Sequence, residues 1–199
     1  TPNQTHTGWH LLGNPFGSAL QWNSASWTIP SAMAENAKVS DSQNKSYVDL
    51  LPGDKIPAAQ GFTVAVNDYA ASFTIPESAR LHDDTPFFKS SLEKLLAIKV
   101  YDEGKHAMQT VQIVFNPASN LGYDFKYDAH FLAGYAPQLY YNVEGNPIST
   151  NSIPNLSNED VFSLEFIKNE FNDFVLEFEY TADLDEIWLR DLKTQTAFA

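Results

Sequence analysis

Cysteine is absent from the 199-residue sequence, which removes disulfides, thiolate nucleophiles and Cys-ligated metals from consideration without identifying a compartment. No apolar run is long enough to cross a bilayer as a helix, and no secretory leader is recognisable at the amino end, where the first residue is Thr1. The chain therefore reads as a processed or internal piece of a larger protein. Positive charge is scarce: 12 Lys and Arg stand against 25 Asp and Glu, a formal net charge of -13. With no basic run or stripe to neutralise phosphates, nucleic acid is disfavoured as a partner. The same field repels strongly anionic glycans unless a cation bridges them, so neutral polysaccharides and divalent cations fit better.

Catalytic signatures are also lacking. The five His residues, at 6, 10, 82, 106 and 130, form no His-Glu-x-x-His arrangement, and there is no Gly-x-Ser-x-Gly elbow, Walker loop or dinucleotide fingerprint. Two carboxylates suffice for glycoside hydrolysis, and their separation in space cannot be read from sequence. Asp124, Asp128, Glu165 and Glu177 are the candidates for that chemistry, although as acids on strands and turns they read first as solvated surface.

What is present is a chain that should fold. A hydrophobic fraction of 43% with 14% aromatics is too high for intrinsic disorder. Short apolar and aromatic runs alternate with Gly, Pro, Asn and Asp, a spacing that suits strands and turns and shows no βαβ rhythm. Strands are expected at 61–66, 72–75, 96–101, 110–115, 138–142, 161–167, 174–180 and 186–191. In the 174–180 run, Phe174, Leu176, Phe178 and Tyr180 alternate with Val175, Glu177 and Glu179, which predicts one face over a core and one mostly charged. The 90–98 stretch carries helical spacing but continues into Val100 and Tyr101 and then Asp102-Glu103-Gly104-Lys105, so a hairpin explains more of it. A short surface helix is a candidate at 31–38, and the polar stretch 35–46 reads as a long surface loop. The resulting expectation is an all-β fold: a single antiparallel β-sandwich over residues 1–199, with a jelly roll as one form of it.

Aromatics carry the binding argument, because sugar C–H faces stack on Trp and Tyr while amides and carboxylates read the hydroxyls. Trp22 and Trp27 lie in a polar, turn-rich segment, and Tyr140 and Tyr141 must point to opposite faces of a strand, so these four are the candidate glycan-binding residues. Core packing is the competing reading for each. Asp124 and Asp128 sit in an acidic, turn-like segment that could offer oxygen ligands to structural calcium, though no full calcium-loop ladder is present. His82-Asp83-Asp84 reads as a solvated loop, since three adjacent side chains cannot all face one ion.

At the amino end, Gly8-Trp9-His10-Leu11-Leu12-Gly13-Asn14-Pro15-Phe16 precedes Trp22 and Trp27 and is followed by Ile56-Pro57-Ala58-Ala59-Gln60-Gly61-Phe62. With Tyr123-Asp124, Tyr127-Asp128-Ala129, the 137–141 strand before Gly145, and Ile187-Trp188-Leu189-Arg190-Asp191-Leu192-Lys193-Thr194, the chain resembles a module of large secreted Bacteroidota surface proteins. That module commonly stands before the sorting domain of the type IX secretion system. The resemblance implies a secreted or cell-surface setting, with neighbouring domains of a larger parent chain as partners, and brings no catalytic residues with it. In the Gly13-Asn14-Pro15 motif, Gly13 permits a positive φ, Asn14 can close a turn through its side chain and Pro15 fixes the exit. Three functions follow as expectations. They are a noncatalytic carbohydrate-binding module recognising polysaccharide or cell-surface glycan, a spacer that presents neighbouring domains, and a small glycan-active hydrolase.

Overall fold

The computed structural model describes residues 8–24, 26–68, 73–81, 93–157, 160–181 and 187–198. In the amino-terminal half the strands are β1 (Gly8–Gly13), β2 (Ala19–Gln21), β3 (Met33–Asp41), β4 (Ser46–Leu50), β5 (Lys55–Ile56), β6 (Gly61–Val66) and β7 (Arg80–Leu81). The second half adds β8 (Glu93–Asp102), β9 (Met108–Phe115), β10 (Ala129–His130), β11 (Gln138–Val143), β12 (Asn146–Ile153), β13 (Leu164–Ile167), β14 (Phe174–Tyr180), β15 (Leu189–Asp191) and β16 (Thr196–Phe198). Helix among the described residues is limited to one 3-10 turn, Glu77–Ala79. No helix there is long and apolar enough to cross a membrane. The chain is all-β, as its strand-and-turn punctuation implies.

Among the described residues these strands form four sheets: β1-β6-β3-β4, β5-β2-β7, the hairpin β15-β16, and a seven-stranded sheet ordered β13-β11-β12-β9-β8-β14 with β10 paired to β12. Their pairings among the described residues are antiparallel except for β12 on β9, which is parallel. Layered antiparallel sheets of this kind are consistent with a β-sandwich.

Apolar burial divides into two clusters. Leu20, Trp22, Leu50, Ile56, Phe62 and Val64 centre the first, where the β1-β6-β3-β4 sheet meets β2 and β5. Ile98, Val100, Val111, Ile113, Leu139, Tyr141 and Ile148 centre the second, on one face of the seven-stranded sheet. That sheet curls around its core. Phe166 on β13 and Phe174 on β14, the two ends of the strand order, meet edge to face with ring centroids 5.0 Å apart.

The clearest departures from the sequence reading fall on polar segments. The helix expected at 31–38 and the loop expected at 35–46 are instead β3 and β4, joined by a turn at 42–45 whose Gln43 and Asn44 amides donate to the Asp41 carboxylate at 3.0 and 3.1 Å. Met33, Ala34, Asn36, Ala37, Lys38 and Val39 are all buried, so the segment alternates little in polarity because both its faces are covered. The strand β12 was likewise unforeseen: Asn146–Ile153 lies outside the strands expected from the sequence, while its last six residues are buried. The hairpin over 93–115 formed as expected. Strand β14 also formed where expected, and Leu176 and Phe178 lie opposite Val100 and Ile98 on the core face, yet Leu176, Phe178 and Tyr180 remain partly exposed. Phe73 and Ile75 pack on the first core outside any strand. Ser72, the His82-Asp83-Asp84 cluster, the 90–92 start of the β8 segment and Glu186 lie outside the described residues.

The two amino-terminal motifs meet through one side chain. Asn14 Oδ1 accepts from the Phe16 amide at 2.9 Å, closing the expected turn, while its Nδ2 donates to the carbonyls of Ser18, Ile56 and Pro57 at 2.9, 3.2 and 2.8 Å. Asn14 N also donates to Gln60 O at 3.0 Å. The Gly-Asn-Pro turn is thus stitched to the segment that opens β6. Gly13 ends β1 without the positive φ its sequence position suggests; among the described glycines that conformation belongs to Gly8, Gly53 and Gly145.

Candidate functional site

Three of the four aromatics expected to form a binding surface are interior. Trp22 is fully buried, its indole donates to Glu35 O at 2.8 Å, and its ring meets Trp27 and Phe62 edge to face at 5.0 and 5.4 Å. Trp27 is 8% exposed and stacks on Phe73 at 6.0 Å. The expectation of an exposed Trp22/Trp27 row is corrected: β3 supplies the carbonyl that satisfies Trp22, and aromatic area is worth more inside the core than on its rim. Tyr140 and Tyr141 do point to opposite faces. Tyr141 is buried in the second core, and Tyr140 packs half-exposed on Phe131 with centroids 4.7 Å apart.

Asp124 and Asp128 act as local backbone anchors. Asp128, fully buried, accepts from Ser152 N and Asp124 N, both at 2.8 Å, and Asp124 accepts from Lys126 N at 3.0 Å and Asn120 Nδ2 at 2.7 Å. Every oxygen of the pair therefore already has a donor. Burial pushes the Asp128 carboxyl up to about 7, against the opposing pull of its two backbone amides. Among the described residues no group of three or more His, Asp or Glu side chains is arranged to hold a metal ion. The remaining hydrolase candidates are engaged separately: Glu177 accepts from Tyr101 Oη at 2.5 Å and pairs with Lys99 at 3.5 Å, while Glu165 is exposed on β13 opposite Tyr140.

A polar seam joins the two cores. Lys38 of β3 and Asp49 of β4 form an ion pair whose side chains are 2% and 6% exposed. Lys38 Nζ also donates to Ser149 Oγ at 2.6 Å and lies 5.9 Å from the centre of the Trp9 ring. The second Asp49 oxygen accepts from Ser149 Oγ and Thr150 Oγ1 at 2.7 and 2.6 Å. Two consecutive hydroxyls reach one carboxylate because the register shifts between β10 and β12: Ala129 faces Thr150 and His130 faces Ile148, leaving Ser149 as the extra residue of a bulge. Gln112 on β9 completes the cluster through Thr150 Oγ1 at 3.0 Å. Beside it, a 190 Å³ cavity is lined by Tyr47, Asp49, Asp54, Lys94 and Thr110. One Asp54 oxygen there accepts from Leu51 N at 2.7 Å, the other has no hydrogen-bond partner, and burial pushes the carboxyl up to about 6.

Across β12 from the seam lies a cleft of 270 Å³ at the open end of the second core. Tyr141, Val143, Asn151, Ile153, Asp160 and Phe162 line it. Tyr141 Oη and Asn151 Oδ1 are buried without a hydrogen-bond partner, and each residue is 1% exposed. Leaving such an atom unpaired costs about 1–3 kcal/mol. Burial alone drives the Tyr141 hydroxyl strongly toward its neutral form, ready to donate as well as accept. Sequence reasoning singled out Tyr141 but missed Asn151, which lies in a run that carried no strand signal.

No protein-family model, curated protein or solved structure matches the chain.

Proposed function

We propose that this chain is a noncatalytic module of a larger exported, surface-associated protein, where it acts as a rigid spacer that holds and presents neighbouring domains. The buried Lys38–Asp49–Ser149–Thr150 seam carries this reading. It couples two hydrophobic cores through charge-assisted bonds that lose their partners if the halves separate, which is what transmission of position between two ends requires. Support also comes from Trp22 and Trp27, which are used for packing. The test is calorimetric: the wild-type chain unfolds in one cooperative transition, and two independent transitions overturn the rigid-spacer role. Turnover of any glycoside by the purified chain overturns its noncatalytic character.

A second reading, glycan recognition, is favoured by one observation. Tyr140 and Phe131 form a half-exposed aromatic pair with ring centroids 4.7 Å apart. A glycan array with and without calcium tests it, with Tyr140→Ala as the control. Binding abolished by that substitution supports a polysaccharide surface there, and no binding in either condition removes it. Melting curves in chelator and in millimolar calcium address structural calcium at Asp124 and Asp128 in the same samples. With all four oxygens occupied, the melting temperature is expected to stay unchanged, and a rise with free calcium would assign the pair to a metal.

A further inference from the structure

We infer that the cleft lined by β11, β12 and residues 160–163 is a binding site for one neutral polyhydroxylated ring, such as the terminal sugar of a glycan. Two of its lining residues, Tyr141 and Asn151, each hold a buried polar atom without a partner, and these set the chemistry. Asn151 Oδ1 only accepts, so the ligand must present a donor, and the Tyr141 hydroxyl both donates and accepts. A ligand hydroxyl serves both with the same kind of group. The apolar part of the lining, Val143, Ile153 and Phe162, suits the C–H face of a sugar ring and disfavours a fully desolvated ammonium. Glu144 and Asp160 at the same cleft repel carboxylated, sulfated or phosphorylated ligands. Its 270 Å³ is near the lower end of ordinary small-ligand pockets, which run from about 300 Å³, so one ring fits and an extended chain does not.

Buried polar groups elsewhere on β12 show why Asn151 Oδ1 stands out. Ser149, Thr150 and Ser152 each have a partner on the seam face, the last through Tyr127 O at 2.8 Å. Asn151, between them in sequence, points to the other face and its carbonyl oxygen has none. The site lies on the opposite face of β11 from Tyr140, so its failure leaves the spacer role and the Tyr140 surface untouched.

Protein-observed NMR titration of the whole chain tests the site, using methyl glycosides of neutral hexoses and N-acetylhexosamines, with glucuronate and glucosamine as charged comparisons. One neutral ligand is expected to give saturable shifts with a Kd of about 1 mM, centred on residues of β11, β12 and 160–163. Tyr141→Phe and Asn151→Leu are each expected to weaken it about tenfold while the spectrum stays folded. An oligosaccharide ending in the same unit separates the two sources of the ligand. Equal or tighter binding identifies a chain terminus, and loss of binding identifies a free sugar; either supports the site. Absence of saturable binding by every neutral sugar up to about 100 mM overturns the proposal in favour of water as occupant. Unchanged affinity in both folded variants, or stronger binding of glucosamine or glucuronate than of every neutral sugar, also overturns it.

Discussion

The two faces of β12 solve the same problem in opposite ways. On one face, Ser149, Thr150 and Ser152 are buried and each hydroxyl finds a partner in Asp49 or Tyr127. On the other, Asn151 is as deeply buried and its side-chain oxygen has none. Burial of polar groups is therefore not one signal. Where donors and acceptors match, the cluster is architecture that fixes register and joins two cores; where they do not match, beside a cleft, it is a place that a ligand can complete.

The comparison is broken most severely at Asp49. Asp49→Ala leaves the Lys38 ammonium and two hydroxyls buried without their acceptor, and the expected loss is about 3–5 kcal/mol, measured by urea unfolding. Lys38→Met combined with Asp49→Leu is expected to recover much of it, because no uncompensated charge remains. If the single substitution costs under about 1 kcal/mol, the seam behaves like a surface ion pair and the contrast between the faces fails.

A smaller effect is expected from pH. Asp128 and Asp54 are raised from 3.8 to about 7 and about 6 by burial, so the folded chain holds these protons more tightly than the unfolded chain. Their contribution is fully present below about pH 4 and is lost as pH rises through about 6 to 7. Melting temperatures between about pH 4 and 8 should accordingly fall with rising pH across this window, and Asp128→Asn should flatten that slope. A slope of the opposite sign, or one indifferent to the substitution, removes the burial argument for Asp128.

The smallest effect sharpens the comparison from the cleft side. Tyr141→Phe deletes a hydroxyl that has no hydrogen-bond partner while keeping the ring that packs against Phe162, so stability without ligand is expected to stay within about 0.5 kcal/mol of wild type or to rise. Thr150→Val on the seam face removes a bonded hydroxyl of similar burial and is expected to cost about 1–3 kcal/mol, since it gives up a bond to a charged group. Equal losses from the two substitutions would mean that the faces do not differ.

Much of the fold was legible in short-range pattern. The 61–66 strand, the hairpin over 93–115 and the strand at 174–180 follow from β-branched and aromatic residues at period two between turn residues, and these preferences act within a few positions. The Asn14 turn was legible for the same reason. The candidate site was legible only in part: Tyr141 and its opposition to Tyr140 follow from strand geometry, whereas Asn151 lies in a stretch where no strand was expected.

By itself, then, the sequence determined an all-β chain with acidic charge and no cysteine chemistry, because composition and period-two patterning are properties of neighbouring residues. Tertiary structure alone decided that β3 and β12 are buried strands, that Trp22 and Trp27 are core, and which polar groups are satisfied. The reason is the distance along the chain over which partners are found. Ser149 and Thr150 bond to Asp49 from 100 and 101 residues away. A polar side chain carries no local mark of whether such a partner will arrive, and its burial costs or contributes free energy accordingly.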